Sequence, residues 1–250
     1  MGQALLHGLV ASGWAEAAEL IVVEVVESAR GVLAAANPGL DVRDSPKANI
    51  DTLIAVKPHH VLPCLAQLNE PSRLISIAAG ITIATIEEAL APGTPVLRVM
   101  PNTPSLVGAG ASAIAGGSAA TSSDVEWATS ILDSVGNTVV VPETALDAVT
   151  GLSGSGPAYL FLVAEAMIDA GVAAGLTRDV ATQLTTQTIY GAGKLLLEGD
   201  ESPTELRAAV TTPAGTTAAG LRVLEQNGVR AAFIDAVMAA ANRAEEMGKQ

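Results

Sequence analysis

Aromatic residues are scarce in this 250-residue sequence, which holds two Trp, two Tyr and two Phe. Because 49% of it is nonetheless hydrophobic, any core must be built from Ala, Val, Leu and Ile. Cysteine is nearly absent. Cys64 alone allows neither an internal disulfide nor a cysteine metal cluster, and it reads as an apolar helix residue. His7, His59 and His60, the only histidines, do not stand at ligand spacing with carboxylates, so no metal site is expected. Positive charge is in deficit, with 13 Lys and Arg against 26 Asp and Glu. The net charge of −13 argues against a nucleic-acid backbone or an anionic membrane as partner. It leaves room for an anionic small molecule, which backbone N–H groups at a helix start bind locally. Long apolar runs are missing too. No uncharged run reaches about 18 strongly apolar residues, the length needed to span a bilayer, and the start lacks a basic-then-apolar signal, so a soluble, cytoplasmic protein is expected.

What is present is an alternation. Short β-branched runs, "LIVVEVV" (20–26), "IDTLIAV" (50–56), "RLISIA" (73–78), "PVLRVM" (95–100) and "NTVVV" (137–141), read as strands. "ASAIAG" (111–116) reads as a further strand reached by a short connection. Between the strands lie helix-like stretches at 3–12, 28–36, 59–68, 83–90 and 124–135. Apolar strands separated by helices imply an α/β fold, a doubly wound, mostly parallel sheet covered on both faces. Strands stop after about residue 148, and the remainder is helical, with starts signalled by Thr177, by Ser202 before Pro203, and by Thr216 or Thr217. The segment 158–174 is apolar almost all round, with Glu165 and Asp169 its only charges. A helix of that kind needs burial on every side, so self-association through this region is expected.

Four stretches carry candidate chemistry. Gly2 opens the first helix, and Glu24 ends "LIVVE". An acid about 20 positions after a glycine turn is the usual partner of a cofactor ribose 2′-OH. Arg30, one turn further on, offers a place for a 2′-phosphate instead, so NADH and NADPH both stay open. "AVKP" (55–58), "AAG" (78–80) and "MPNTP" (100–104) end three successive strands at the edge where doubly wound sheets bind ligands. "SGSGPA" (153–158) precedes the apolar helix and reads either as an anion or ribose site or as a tight interdomain turn. "TTPAGTTAAGL" (211–221) brings several hydroxyls and N–H groups to the positive end of a helix, a carboxylate receptor without a side-chain cation.

Taken together, "DAVTGLSGSGPAY" (147–159), "GLTRDVATQL" (175–184), "VTTPAGTTAAGLRVLEQNGVRAAFIDAV" (210–237), "AVKP", "AAGIT" and "RVMPNTP" closely resemble the pyrroline-5-carboxylate reductase family. The resemblance runs through nearly the whole chain. It implies a Rossmann domain at 1–147, a helical substrate and dimerisation domain at 148–250, an active site between the two, and dimers that assemble into larger rings. It implies reduction of 1-pyrroline-5-carboxylate to L-proline by NADPH or NADH, the last step of proline biosynthesis. Val56, Lys57, Ala79 and Gly80 match strand-end positions that hold the nicotinamide cofactor, and Asn102 falls in a motif lining the same cleft. Ser45 sits near a further cofactor position. Thr217 matches the threonine facing the substrate ring nitrogen, while Thr212, Gly215 and Thr216 fall in the loop that takes the carboxylate. Glu143 falls near a substrate-side acid.

There are departures. Ala214 stands where a glycine is frequent, and Ala208 and Ala209 stand where many members carry Asp and Asn. Met1-Gly2 matches only the end of a G-x-G-x-M-G turn, so an apolar strand and the rest of that turn are expected upstream, between "LIVVEVV" and "IDTLIAV" in the sheet. A catalytically impaired paralogue or truncated form is the alternative this raises. A hydroxyacid dehydrogenase of related fold is disfavoured, because Leu160 stands where its lysine would follow Gly154-Ser155-Gly156.

Overall fold

The structure, a computed structural model, describes residues 1–248. The chain forms two compact units, one of residues 1–155 together with the segment from Met238 onward, the other of residues 156–237.

In the first unit the elements run α1 (Gly2–Ala11), β1 (Ile21–Val23), α2 (Glu27–Ala36), β2 (Asp41–Arg43), β3 (Asp51–Ile54), α3 (Val61–Leu65), β4 (Arg73–Ser76), α4 (Ile83–Glu88), β5 (Val96–Met100), β6 (Gly110–Gly116), α5 (Ser122–Leu132), β7 (Gly136–Val140) and α6 (Leu146–Val149). β1 and β2 pair in parallel as one ladder, and a second ladder runs in the order β3-β4-β5-β6-β7. Its pairs are parallel except β5 with β6, which is antiparallel. The cause is length: only a short 3₁₀ turn, Thr103–Val107, joins β5 to β6, and a parallel crossover needs a dozen or more residues. β2 was not legible in the sequence because Val42 is its only apolar residue.

Side-chain alternation along the buried strands feeds two cores, one on each face. Leu74, Val96, Ala113 and Ala115 face α3 and α4 with Val61, Leu65, Ile83 and Ile86. Ile75, Leu97, Val99 and Ile114 face α1 and α5 with Leu5, Leu9, Ala128, Ile131 and Leu132. Each Val, Leu or Ile side chain, fully buried, stabilises by about 1.5–3 kcal/mol, so these cores are built without a fully buried aromatic. Cys64, on α3, packs against the first of these cores, and burial pushes its thiol above the ordinary value.

The second unit contains α7 (Gly156–Ala173), α8 (Arg178–Glu198), α9 (Pro203–Ala209), α10 (Thr216–Gln226) and the first part of α11 (Val229–Gly248). Thr177 caps α8 through the Val180 N–H, and Ser202 caps α9 in a reciprocal box with Glu205, with Pro203 in the first turn. α7 and α8 approach closely at Gly171, where an added Cβ would meet that of Ala181 at 3.0 Å. α7 buries none of its residues in the single chain, and Leu160, Phe161 and Leu162 are each more than half exposed. Among the described residues the helical stretch Glu143–Ala173 is long and apolar enough, by length and composition, to cross a membrane.

Two sequence expectations are corrected here. Gly215, not Thr216 or Thr217, is the N-cap of α10, and both threonines lie inside its first turn. "SGSG" is not an open turn: a π-helical turn, Thr150–Gly154, carries the chain from α6 towards α7, with the Ser155 N–H donating to the Thr150 carbonyl at 2.8 Å. The N–H groups of that turn are therefore drawn into helical bonding, and Gly156 opens α7 directly after it.

Candidate active site

β3, β4 and β5, parallel neighbours in one ladder, end along one edge, and the turns after them and after β1 collect most of the residues singled out from the sequence. Glu24 follows β1, Val56 and Lys57 follow β3, Ala79 and Gly80 follow β4, and Asn102 follows β5. Val56 and Lys57 are exposed. Lys57 precedes the 3₁₀ turn Pro58–His60, whose proline cannot continue the strand. Gly80 adopts φ +77°, the left-handed conformation that lets the chain turn away immediately after β4. Ala79 and Gly80 open onto a cavity of about 200 Å³ shared with Asp147, Thr150, Ser155 and, from α11, Arg243 and Met247. The part played by α11 here has no signal in the sequence, because Arg243 and Met247 lie in an ordinary helical run.

α1 begins at the same edge. Met1 supplies no side-chain cap, so the first N–H groups of the helix are left for another acceptor. A Cβ added at Gly2 would come within 3.0 Å of the Ala55 Cβ, so the helix start and the end of β3 are as close as a glycine allows. Bare N–H donors, small residues and strand ends on one edge suit a dinucleotide, whose pyrophosphate is anionic and whose rings need flat approaches.

Three of the predicted residues have partners that define what they can do. The Asn102 amide donates to the Ser153 carbonyl at 3.0 Å and accepts the Ala111 N–H at 2.9 Å, so this side chain braces β5 and β6 against the π-helical turn. Glu143 Oε1 accepts from the Ile83 N–H and from Arg98 Nη1, at 2.7 and 3.0 Å. The exposed Ser45 hydroxyl donates to Asp44 at 3.0 Å. The signal for Arg98 in the sequence is a lone arginine inside a buried strand, "PVLRVM", which calls for a carboxylate partner.

The second unit carries the other group of residues. Thr212, Pro213, Ala214 and Gly215 form a β-turn closed by the Gly215 N–H to the Thr212 carbonyl at 3.0 Å. Proline second and a positive φ, +57° at Ala214, third give the pattern of a type II turn. A Cβ on Gly215 would collide with the Thr212 hydroxyl, so that position needs glycine. Beyond the turn, Thr216, Thr217 and Ala218 form the first turn of α10, where no helical carbonyl reaches their N–H groups and no side chain caps them. With the positive end of the helix dipole, this is a receptor for a small carboxylate, flanked by the threonine hydroxyls.

Comparison with known proteins accounts for both halves. Residues 143–247 match the family model described as pyrroline-5-carboxylate reductase dimerisation. The exposed apolar α7 lies inside that segment, and the segment self-associates. The sequence is 41% identical over 276 residues to a pyrroline-5-carboxylate reductase of Mycobacterium tuberculosis, an alignment covering 99% of this chain and 93% of that one. Its fold matches a solved pyrroline-5-carboxylate reductase of Coxiella burnetii with a TM-score of 0.92 at 34% identity, across 100% of this chain and 95% of that one. It also matches the Plasmodium falciparum enzyme, solved with NADP bound, with a TM-score of 0.84 at 31% identity, across 99% and 94%. The α/β unit with its parallel-dominated sheet, the helical segment and the near-complete sequence similarity lead to one conclusion: this chain belongs to the pyrroline-5-carboxylate reductase family.

Proposed function

We propose that the chain reduces 1-pyrroline-5-carboxylate to L-proline with NADH or NADPH, the closing step of proline biosynthesis. The observation that carries this reading is the 41% identity extending over 99% of the chain, beside a threonine-rich turn that leads into α10. In this reading residues 1–147 form the dinucleotide-binding domain and residues 148–250 the substrate and dimerisation domain. Gly2, Glu24, Ser45, Val56, Lys57, Ala79, Gly80 and Asn102 serve the cofactor, Asn102 by bracing β5 rather than by donating its committed amide. The bound cofactor supplies the hydride.

The chain's own residues do the positioning. The N–H groups of Thr216, Thr217 and Ala218 take the substrate carboxylate, with Thr212 and Gly215 fixing the turn that presents them. The Thr217 hydroxyl bonds the ring nitrogen, so that charge is stabilised as the C=N bond is reduced. No strong general acid is required, because a cyclic imine is already largely protonated near neutral pH. Catalysis then rests on orientation, which can contribute several kcal/mol to the barrier. Glu143, held by Arg98 and the start of α4, lends its charge to the substrate side. The net charge of −13 supports a cytoplasm-compatible enzyme without nucleic-acid or anionic-membrane partners, the exposed apolar α7 supports dimers, and the family resemblance extends these to a larger ring.

Purified protein given 1-pyrroline-5-carboxylate should oxidise NADH or NADPH in proportion to substrate consumed. Oxidation of neither would overturn the proposal.

A further inference from the structure

The tip of β1 bears on which reduced nicotinamide this edge accepts. The Glu24 N–H donates to the Arg43 carbonyl at 2.9 Å, which extends the β1–β2 pairing by one residue and fixes where the glutamate stands. Its carboxylate accepts the Val26 N–H at 2.9 Å and is thereby held in the turn that opens α2. Arg30 folds back onto the same turn. Its Nη1 donates to the carbonyls of Glu24 and Val25, both at 2.9 Å, so the cation closes the turn instead of reaching outward.

The other charges nearby do not reverse the balance. Arg43 is engaged by Asp41 through Nε and Nη2, at 2.9 and 2.6 Å. The turn after β2 carries Asp44 beside the exposed Lys47, and α2 begins with Glu27. Glu24, Glu27, Asp41 and Asp44 thus outnumber Arg30, Arg43 and Lys47; Arg43 is paired with Asp41, and Arg30 is held to two backbone carbonyls through Nη1. In a doubly wound sheet an acid at such a strand tip receives the ribose 2′-OH, whereas a 2′-phosphate needs a cation free to meet it. A phosphate monoester brings about −1.5 to −2 charges at neutral pH.

We infer that Glu24, with Arg30 drawn into the turn, makes this chain select NADH over NADPH. The inference rests on the reductase reading above and adds its cofactor preference. A 2′-hydroxyl donates to the Glu24 carboxylate, while a 2′-phosphate is repelled by it. At the separations involved the discrimination is roughly tenfold or more, and it shrinks as salt screens the repulsion.

The test is direct binding, read by the change in nicotinamide fluorescence as the full chain is titrated with each cofactor at low and at moderate salt. Wild type should bind NADH at least about tenfold more tightly, with the gap narrowing as salt rises. Glu24→Gln should gain affinity for NADPH without gaining any for NADH, and a gain of affinity cannot come from misfolding. Arg30→Ala should weaken both cofactors by a similar factor, because it loosens the turn. Wild-type binding of NADPH as tight as NADH, or an Arg30→Ala variant that loses NADPH alone, would overturn the inference and leave the reductase reading standing. Binding of neither cofactor would remove the reductase reading and the inference with it.

Discussion

Arg98 and Glu143, which lie 45 residues apart in sequence, meet at 3.0 Å, and the same carboxylate oxygen takes the Ile83 N–H at 2.7 Å. One oxygen so ties β5, the start of α4 and the turn before α6. The Arg98 side chain is only 10% exposed, so its charge depends on that carboxylate. Glu143→Ala leaves the guanidinium buried without its partner, and the expected cost is about 2–4 kcal/mol. Urea unfolding should show a lower midpoint with an unchanged slope. An unaltered midpoint would mean that water replaces the carboxylate at no cost.

Ala214 holds φ +57° at the third position of its β-turn, a conformation that glycine adopts without the Cβ penalty. Ala214→Gly should therefore stabilise the turn by up to about 1 kcal/mol, despite the greater freedom of glycine in the unfolded chain. The check is the thermal midpoint, which should rise by a few degrees or less. A falling midpoint would show that the turn is not strained.

Asp124 and Thr121 form a reciprocal cap at the start of α5. The Thr121 hydroxyl and N–H, with Arg73 nearby, hold the Asp124 carboxyl below its ordinary value. A lowered carboxyl contributes stability above its unfolded value, and that contribution is lost as pH falls through the folded one. Asp124→Asn should be less stable than wild type by about 1 kcal/mol at neutral pH. The difference should close below about pH 4, where wild type loses the same contribution. A gap that persists into acid would assign the effect to packing instead.

Much of this fold is legible because buried strands are continuous Val, Ile and Leu runs and because threonine or serine caps mark the starts of α4, α5, α8 and α9. The strands at 51–54, 73–76, 96–100, 110–116 and 136–140 fall inside or within a residue of the expected runs. β2 escapes because its charges outnumber its one valine, and the antiparallel turn of β6 follows from connection length rather than from any residue in it. "SGSG" misleads because glycine and serine usually mark loops, whereas here Ser153 and Gly154 end a π-helical turn and Gly156 opens α7. At the site, residue types and strand-end positions are readable. Their partners are not: Asn102 meets a carbonyl 51 residues away and Glu143 an N–H 60 away, and no local spacing encodes contacts of that range.

Thr217 is given the ring nitrogen. Thr217→Ala should lower turnover by roughly tenfold or more, a loss in the range of one hydrogen bond that strengthens in the transition state. Its far-ultraviolet spectrum and melting point should stay near wild type, because the residue is only partly buried and Gly215, not Thr217, caps the helix. Thr217→Ser, which keeps the hydroxyl, should retain most of the rate. Equal kinetics for all three proteins would remove Thr217 from the mechanism.

The central claim is reduction at the imine carbon, and isotope transfer tests it most directly. The chain is incubated with 1-pyrroline-5-carboxylate and NADH deuterated in its transferable position, and the amino acid formed is analysed by mass and chirality. The account predicts L-proline carrying one deuterium on the ring carbon next to nitrogen that does not bear the carboxylate. Unlabelled proline, or no proline while the cofactor stays reduced, would contradict it.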